Sequence, residues 1–437
     1  MADGAIQRGA EQIERWYQAA LAAVEPESAV RRHLRCSDST LTAAERTIRV
    51  RGQFVVVGVG KAAVPMARGA IAACGDLIDA GLMITKDGHA ARMPPGPIEV
   101  REASHPVPDD RGVAATTEML DLLSPLDAGD VVLALISGGG SALLEAPRPP
   151  VSLGDLATVT DLLLRAGAPI HDLNMVRTPL SLVKGGGLRR AAGAATMVTL
   201  ILSDVLGNDL AVIASGPTVV SVPRPEAALA MLEQYGIRDR VPDSVLEVLN
   251  GGSIMSGAEI EINSTLIEVI GDNGTAVAAF AGAAQADGFT AEILWRAKAG
   301  EAALLGREWA ARCATAPPGQ RLLLGGGEAT VTVTGDGIGG RNTEFALAAA
   351  LELADRGDSV WLIASLATDG QDGMTDAAGA IGSASTIERS VCAGCDPVAA
   401  LVANDSLRVF DTAGGTVRPG PTGTNVNDLY VGLRIGD

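Results

Sequence analysis

Residues 131–141, VVLALISGGGS, constrain the fold more strongly than any other stretch of the chain. An apolar run that ends in turn residues is typical of a buried strand in a parallel sheet, and residues 142–145 can begin a helix. Consecutive glycines allow positive φ angles and close approach of a ligand, and the N–H groups at a helix start attract anions. The segment therefore predicts either a strand, a phosphate-binding loop and a helix, or a turn that only connects two elements.

Composition and charge narrow the classes of partner. The 437 residues suffice for two or three domains at roughly 100–200 residues each. Only 3% of residues are aromatic and the net charge is -18 at pH 7, whereas nucleic-acid binding needs stacking surfaces and positive charge. We therefore expect no nucleic-acid partner, and an anionic substrate must be bound by a local cluster of Lys and Arg.

The chain also lacks the sequence signals of membrane insertion and export. It has no run of 18 apolar residues, and its N-terminal stretch MADGAIQRGAEQIERW lacks the apolar part of a signal peptide. We expect no membrane partner and a cytoplasmic location. The 5 cysteines are sparse and odd in number, which favours reduced thiols. Cys392 and Cys395 form a single CxxC motif, for which a zinc or redox role is disfavoured.

Strand and helix patterns alternate through the first half of the chain. Helices are predicted over residues 11–25 and around 30–35. Strands are predicted over residues 54–57, 81–85, 98–103, 131–136 and 197–202, with helices such as 63–73 and 153–166 between them. This alternation predicts a parallel α/β sheet, with ligands outside the carboxyl ends of the strands.

A second α/β unit is predicted after a polar segment, NGGSIMS at residues 250–256, which has the composition of a linker. Its predicted elements are strands near 266–270, 292–294, 321–324, 330–333 and 360–365 and a helix over 342–354. We therefore predict a Rossmann-like α/β domain over residues 1–255, a second α/β domain over 256–437, and a cleft between them. Whether the helices of residues 1–45 pack on the other domain is left open.

The loop after the first predicted strand carries a cation. Gly58, Gly60 and Ala63 have the spacing of the dinucleotide fingerprint, which taken alone favours a dehydrogenase. Lys61 lies at the predicted helix start, where it opposes the helix dipole by about 0.3–1 kcal/mol. A bound anion would explain this cost, and a solvated surface lysine is the alternative.

Two further glycine-rich segments are candidates for phosphate contact. They are KGGG at residues 184–187 and GGRN at residues 339–342. In the second, Arg341 lies at a predicted helix start, where its guanidinium and free N–H groups can converge on an anion. A Walker loop and the protein-kinase signatures are absent, so phosphoryl transfer would use another scaffold.

Carboxylates also follow predicted strands. Asp204 follows the strand that ends at residue 202, and Asp369, Asp372 and Asp376 follow the strand over 360–365. Carboxylates in such positions hold Mg²⁺ together with substrate phosphates. Asp-Gly pairs are also turn formers, and we favour turns for Asp372 and Asp376.

Taken together, these motifs resemble the glycerate 2-kinase family, whose C-terminal half is called the MOFRL domain. The resemblance covers nearly the whole chain and favours a kinase over a dehydrogenase. The matching motifs are GVGKAA at 58–63, HPVPD at 105–109, SGGGSALL at 137–144, SDV at 203–205, IASGPT at 213–218, GGRN at 339–342, ATDGQDGMTDAAGA at 367–380 and PGPTGTNVNDL at 419–429.

The resemblance implies two α/β domains that enclose a cleft, and phosphorylation of the 2-hydroxyl of D-glycerate with ATP and Mg²⁺. It implies that Lys61 and Arg341 are active-site residues on opposite walls of the cleft. Members of this family also carry the label hydroxypyruvate reductase, so NAD(P)H-dependent reduction is an alternative. A binding or regulatory protein without turnover is a third alternative. The assembly state is left open, with a homodimer as one alternative.

On this basis we predict a complete site. Lys61, Arg341 and Asp204 are the predicted catalytic residues, and Asp204 is also the predicted Mg²⁺ ligand. The predicted nucleotide-binding residues are Gly58, Gly60, Ser137, Gly138, Gly139, Gly140, Ser141, Lys184, Gly340 and Asn342. The predicted acceptor-binding residues are His105, Arg177, Thr178 and Asp369.

The chain departs from the family pattern within a helix predicted over residues 174–190. Thr178 and Pro179 stand where the pattern has Lys and His, and Gly187 stands where it has Arg. If the missing cations bind the glycerate carboxylate, their loss changes discrimination between acceptors. A larger or less acidic polyol or sugar is therefore an alternative acceptor, and Arg189 and Arg190 are candidates to replace the lost charge.

Overall fold

The computed structural model describes residues 2–43, 45–90, 96–251 and 264–436. The chain forms two compact units, of which one is Pro26–Ile270 and the other combines Met1–Glu25 with Gly271–Asp437. The predicted domain boundary between residues 255 and 256 lies outside the described residues and stays a prediction. Within the described part of the chain, no helix combines the length and the apolar character needed to cross a membrane.

The helices and strands up to residue 271 are, in chain order, α1 (Ala2–Ala23), α2 (Pro26–His33), β1 (Leu34–Ser37), β2 (Thr40–Ala43), β3 (Arg46–Arg49), β4 (Phe54–Val59), α3 (Ala63–Cys74), β5 (Ala80–Lys86), β6 (Ile98–Ala103), α4 (Asp110–Leu123), β7 (Val131–Ser137), α5 (Gly140–Leu143), α6 (Leu153–Arg165), α7 (Ile170–Arg177), α8 (Gly187–Ala191), β8 (Thr196–Leu202), α9 (Pro225–Gln234), α10 (Asp243–Asn250) and β9 (Thr265–Gly271). The remaining elements are α11 (Asn273–Ala286), β10 (Ala291–Glu301), α12 (Ala302–Ala314), β11 (Leu322–Thr330), α13 (Arg341–Asp355), β12 (Trp361–Ala367), β13 (Gly379–Gly382), α14 (Ala384–Cys392), α15 (Pro397–Val402), α16 (Ser406–Ala413), β14 (Thr416–Val417) and β15 (Asp428–Arg434).

The Pro26–Ile270 unit is built on a sheet with the strand order β6-β5-β4-β7-β8-β9. The strands from β6 to β8 pair in parallel, as the alternating pattern predicted. Every residue of the central strands β4 and β7 is buried, because a parallel sheet is covered on both faces. The carboxyl ends of β4, β7 and β8 therefore lie side by side at one edge, where the predicted phosphate loop follows β7.

Strand β9 corrects one prediction. Residues 266–270 were expected to begin the second unit, but β9 is hydrogen-bonded beside β8 in the first sheet. Arg189 on α8 helps to hold it, since the buried Nε donates to Thr265 Oγ1 at 2.8 Å. The position of an edge strand depends on pairing with a strand distant in sequence, which hydrophobic periodicity does not report.

The chain between α6 and β8 corrects a second prediction. A single helix was expected over residues 174–190, but α7 ends at Arg177 and α8 begins at Gly187. Gly185 and Gly186 between them have φ angles of 54° and 84°. Glycine adopts such left-handed angles readily, so these residues interrupt any helix just before α8. Pro179, two residues beyond the end of α7, has no N–H group with which to continue that helix.

A disulfide corrects a third prediction. The antiparallel sheet β1-β2-β3 precedes β4, and Cys36 of β1 is bonded to Cys74 at the end of α3. The prediction of reduced thiols was wrong for these two residues, because their sequence spacing carried no sign that they meet. Cys313, Cys392 and Cys395 are free.

The second unit has a mixed sheet with the order β10-β11-β15-β12-β13-β14. Only β10 and β11 pair in parallel among its described strands, and the C-terminal strand β15 lies antiparallel between β11 and β12. The separate strand predicted over residues 330–333 was wrong, since β11 continues to Thr330 and residues 331–334 form no strand. The predicted α/β class itself is confirmed.

Helix α1 belongs to this second unit. It begins at Ala2 rather than at residue 11, and its Trp16 is buried edge-on against Phe280 and Phe289, with ring centroids 5.8 and 5.1 Å away. The hydroxyl of Tyr17 donates to the carbonyl oxygen of Ala367 at 2.6 Å. The N-terminal helix is therefore part of the core of the unit that contains the C-terminal half of the chain.

Candidate active site

The loop after β7 presents unpaired backbone donors. Within the described residues, the amides of residues 138–141 donate to no protein acceptor. The loop is tied to the end of β4, because the amide of Lys61 donates to Gly138 O at 2.9 Å and the amide of Ala62 donates to Ser137 Oγ at 3.1 Å. A row of free N–H groups on a fixed loop suits an anion such as a phosphate.

Each loop glycine is required by a neighbouring residue. A Cβ atom at Gly138 would collide with the carboxylate of Asp204, and one at Gly139 would lie 3.1 Å from the ring of His105. Gly139 also has a φ angle of 87°, which other residues rarely adopt. The absence of side chains therefore lets Asp204 and His105 approach the loop.

Lys61, after β4, and Asp204, after β8, both lie against the loop that follows β7. The Cγ atom of Lys61 is 3.4 Å from the position that a Cβ atom of Gly139 would take. Burial raises the pKa of Asp204, and the positive charge of Lys61 opposes that rise. The structure thus brings together the cation and the carboxylate that were predicted from separate strand ends.

Asp204 has the character of a Mg²⁺ ligand that acts with a substrate. Mg²⁺ keeps several waters and is commonly held by one or two carboxylates together with phosphate oxygens. In the described part of the chain, no group of three or more His, Cys, Asp or Glu side chains is placed to hold a metal ion. A single half-buried carboxylate beside the loop fits an ion that takes its other ligands from phosphate and water.

A buried ion pair supports the loop from beneath. Lys184 Nζ lies 3.1 Å from the Glu145 carboxylate, and both side chains are 1% exposed. Lys184 Nζ and Arg177 Nη2 both donate to Ser141 O, at 2.9 and 3.2 Å. Burial lowers the pKa of Lys184 to about 8. Because its ammonium is bound by protein atoms, Lys184 fixes the position of Ser141 instead of facing outward.

A polar chain leads from the loop to α7. The hydroxyls of Ser141 and Ser215 lie 2.9 Å apart, and Ser215 Oγ donates to Asn174 Oδ1 at 3.2 Å. Asn174 Nδ2 is buried and has no partner among the described residues. Ala214 and Ser215 have φ angles of 51° and 62°, a strained conformation that occurs preferentially at functional sites.

Two cavities adjoin this polar chain. The first cavity, of about 480 Å³, has Gly139, Ser141, His105 and Arg177 in its lining. The second cavity, of about 440 Å³, has Asn174, Thr178, Pro179 and Ser215 in its lining. The residues predicted to bind the acceptor are therefore divided, with His105 and Arg177 at one cavity and Thr178 at the other.

In the second unit, Arg341 is bound by carboxylates. Its Nε and Nη2 donate to Asp428 at 2.7 and 2.9 Å, and its Nη1 lies 3.6 Å from Glu328. Burial raises the pKa of Asp428, and the positive charge of Arg341 opposes that rise. The bidentate contact fixes the guanidinium, and Nη1 is the nitrogen with the weakest contact to protein.

The start of α13 corrects one prediction and adds to another. The amides of Asn342 and Thr343 each donate to the carboxylate of Asp372 at 2.8 Å. The expected convergence of free N–H groups on a ligand was wrong, because Asp372 already accepts from them. The turn predicted at Asp372 is present, because the amide of Thr375 donates to Asp372 O at 3.2 Å, and the buried carboxylate of Asp372 caps the helix in addition.

Comparison with known proteins decides the family. The chain matches the family described as a domain of unknown function (DUF4147) over residues 12–250 and the MOFRL family over residues 321–428. A protein from Thermotoga maritima named D-glycerate 2-kinase is 40% identical over 392 residues, which are 88% of this chain and 91% of that protein. The chain belongs to the glycerate 2-kinase family.

Two further proteins are similar to nearly the whole chain. A crystal structure of a glycerate kinase from Thermotoga maritima has a TM-score of 0.88 and 36% identity, covering 98% of this chain and 100% of that one. A protein from Agrobacterium vitis that carries a provisional hydroxypyruvate reductase name is 40% identical over 426 residues, 95% of this chain and 92% of its own length.

Several residues matched to the family have structural roles in this chain. Gly58 lies inside β4, where a Cβ atom would press on Met83 and Leu135, and Gly60 has a φ angle of 124°. The spacing that resembles a dinucleotide fingerprint therefore serves strand packing and a turn at these two positions.

Residues of the C-terminal motifs also have structural roles. A Cβ atom at Gly340 would collide with Asp372. Asn342 Nδ2 donates to Asp428 at 3.0 Å, and its Oδ1 accepts from Ser365 at 2.5 Å. Asp369 is half-buried after β12 and accepts from the amide of Gln371 at 3.0 Å. These contacts hold the end of the second sheet together.

The candidates for replacing the lost cations differ from each other. Arg189 is completely buried, and besides Thr265 its guanidinium donates to Gly193 O and Ala195 O at 3.1 and 3.0 Å. Its predicted role at the acceptor was wrong, because the guanidinium is already bound by backbone carbonyls and a hydroxyl of the same unit. Arg190 donates to Gly185 O at 3.0 Å.

Sequence reasoning missed Glu145, Asn174 and Ser215. Ser215 lies in the IASGPT motif, so that motif was a usable signal. Glu145 and Asn174 carry no local signal, because their importance comes from contacts with residues more than thirty positions away, such as Ser181 and Ser215.

Proposed function

We propose that this protein transfers the γ-phosphoryl group of ATP to the 2-hydroxyl of D-glycerate. The observation that supports this most directly is the loop of residues 138–141, whose free amides lie between Lys61 and Asp204 at the carboxyl ends of parallel strands. Membership in the glycerate 2-kinase family and the names of its relatives supply the substrate. Both partners are then small molecules, a nucleotide and a hydroxy acid.

Each residue of the loop region has a proposed part in the transfer. The free amides bind phosphate oxygens, and Lys61 neutralises charge on the transferred group. The acceptor oxygen bonds to the γ-phosphorus, the bond to the bridging oxygen of ADP breaks, and the hydroxyl proton is released. Asp204 would hold Mg²⁺, which when bound supplies positive charge to the phosphate oxygens. Ser137 and Lys184 contribute by fixing the loop.

Arg341 has a narrower proposed role than the sequence suggested. We propose that Nη1 acts on the substrate, while Nε and Nη2 stay bound to Asp428. Asp369, which adds negative charge near the same guanidinium, remains a proposed acceptor-binding residue. Gly340 and Asn342 are proposed to support this arrangement through Asp372 and Asp428 rather than to bind nucleotide themselves.

The test is an assay of purified protein with ATP, Mg²⁺ and D-glycerate, with ADP release measured and the product identified by phosphorus NMR. We expect 2-phosphoglycerate, and a Lys61→Met variant that loses on the order of 10³-fold in kcat. Lys298→Met, at a lysine of the second unit that pairs with Glu308, is the control. No ADP release with any hydroxy acid, or a Lys61→Met variant as active as the control, would contradict the proposal.

A second acceptor class is favoured by one observation. Thr178 and Pro179 line the second cavity together with the hydroxyls of Ser215 and Ser221, and Arg224 is its cationic residue. A cavity of about 440 Å³ lined in this way suits a polyol or sugar larger than a three-carbon acid. The ADP-release assay therefore includes longer hydroxy acids and polyols, and NAD(P)H oxidation by hydroxypyruvate is measured in parallel.

A further inference from the structure

The first cavity has two chemically different ends. One end is formed by the phosphate loop at Gly139 and Ser141, and the rest is formed by aliphatic side chains of α6, including Leu156, Ala157 and Leu164. Prolines and Val107 from the segment after β6 complete the apolar wall. This combination differs from the second cavity, whose lining includes several hydroxyls and an amide.

We propose that the first cavity binds the purine base of the nucleotide whose phosphates lie on the loop of residues 138–141. The inference rests on the proposed function and extends it, because it assigns a place in this chain to the part of ATP that takes no part in the chemistry.

The exposed apolar surface at this cavity supports the assignment. Val107 and Leu164 line it and are 63% and 57% exposed. Contiguous apolar surface of this kind commonly marks a ligand site. A planar base has two apolar faces, and covering them with aliphatic side chains removes apolar area from water on both partners, which favours binding. The cavity volume lies in the range typical of small-molecule sites.

Polar groups at the cavity suit the edge of a base. Arg177 lines the cavity, and its Nε is buried without an acceptor among the described residues. A buried donor without a partner is unfavourable, and a ring nitrogen of the base would accept a hydrogen bond from it. His105 adds a ring nitrogen between the loop and the aliphatic wall. Thr160 and Asp161 supply oxygen atoms at the helix α6 side.

The pair formed by Ser141 and Ser215 indicates that each cavity binds a different ligand. Ser141 lines the first cavity and Ser215 lines the second, and their hydroxyls are 2.9 Å apart. A nucleotide that enters through the first cavity brings its phosphates to the loop. The hydroxyl-lined second cavity is then left for the acceptor.

The test measures nucleotide binding directly. Ala157 is exposed to solvent and lines the cavity. The larger side chain of Ala157→Leu therefore occupies the cavity without disturbing the packing of the hydrophobic core. Leucine adds no aromatic ring that could stack on a base. Thr158→Leu changes the next residue of α6, which is also exposed and lies outside the lining. Affinities of both variants and wild type for ATP and for tripolyphosphate are measured by calorimetry.

We expect Ala157→Leu to weaken ATP binding at least tenfold and to change tripolyphosphate binding less than twofold, with Thr158→Leu unchanged for both. Equal ATP affinity in wild type and Ala157→Leu would overturn the base site and leave the proposed function standing. Equal weakening for ATP and tripolyphosphate would also overturn it. Wild-type protein that binds neither ligand would instead overturn the proposed function, and the base site with it.

Photolabelling gives an independent measurement on the full chain. 8-Azido-ATP carries its reactive group on the base, so we expect labelled peptides from residues 105–108 or 153–164. Labelling confined to other peptides would contradict the base site.

Discussion

At Gly139 the missing side chain determines how closely His105 approaches the phosphate loop. Burial is the main cause that lowers the pKa of His105 to about 4, and the positive charges of Lys61 and Lys86 lower it further. The ring is therefore neutral at pH 7 and offers hydrogen bonds without charge. A cationic imidazole would compete with Lys61 for the same anion, whereas a neutral one contacts a base or a hydroxyl without doing so.

We predict that His105 titrates with a midpoint near pH 4 and that Lys61→Met raises this midpoint. The unfolded chain protonates His105 near its usual pKa of about 6.5, while the folded chain does not until about pH 4. Between these values the unfolded state binds more protons, so this histidine lowers stability as pH falls through that window. Histidine-selective NMR measures both midpoints, with His171→Gln and His105→Gln to assign the signals. A midpoint near 6.5 in wild type would refute the burial of this ring.

The same residues explain which parts of the site could be predicted. Lys61, Ser137 and Asp204 each follow a predicted strand, and parallel strands bring their carboxyl ends to one edge, so strand order alone suggests that they meet. Glu145 and Asn174 act through buried contacts to distant residues. No periodicity or motif reports such contacts, because they depend on how separate helices pack.

At the scale of elements, the small sheet β1-β2-β3 is attached by a covalent bond to helix α3. Cys36 on β1 and Cys74 at the end of α3 are separated by 38 residues. Amphipathic patterns indicated the helices on either side but not this sheet, since its strands are short and half-exposed. Disulfides are rare in reducing compartments, so this bond disfavours the cytoplasmic location, which stays a prediction.

We predict that the unreduced, denatured protein contains three free thiols and that Cys36→Ser with Cys74→Ser lowers the free energy of unfolding of this unit by about 4 kcal/mol. The estimate is the loop-closure entropy that the bond removes from the unfolded chain, for a loop of about 38 residues. Thiol titration and urea unfolding provide the measurements. Cys392→Ser, at an exposed free cysteine, is the control. Five titratable thiols without reductant would show that the bond does not form in solution.

At the scale of the whole molecule, the chain begins in one unit, builds the other, and returns to the first. The amphipathic pattern of α1 indicates that one face is buried but not which surface covers it. Trp16 and Tyr17 find their partners more than 250 residues later in the sequence. The return at Gly271 is not indicated by the sequence either, since β9 resembles the first strand of a new sheet and instead completes the old one.

We predict that a fragment of residues 26–270 folds cooperatively and that a fragment of residues 1–255, cut at the predicted domain boundary, is less stable and aggregates. The shorter cut removes β9, which exposes the edge of β8, and it takes from the buried Arg189 its contacts with Ser264 and Thr265. Losing partners of a buried charged donor costs about 1–3 kcal/mol or more, and an unpaired strand edge promotes association. The fragment of residues 1–255 also carries α1 without the residues that bury Trp16.

Urea unfolding and sedimentation compare the fragments 26–270 and 1–255. The matched control is a fragment of residues 26–251, which lacks only β9 and the segment before it. If residues 1–255 prove as stable and monomeric as residues 26–270, then neither β9 nor the separation of α1 matters to this unit, and the boundary predicted from the linker composition is the better description of the chain.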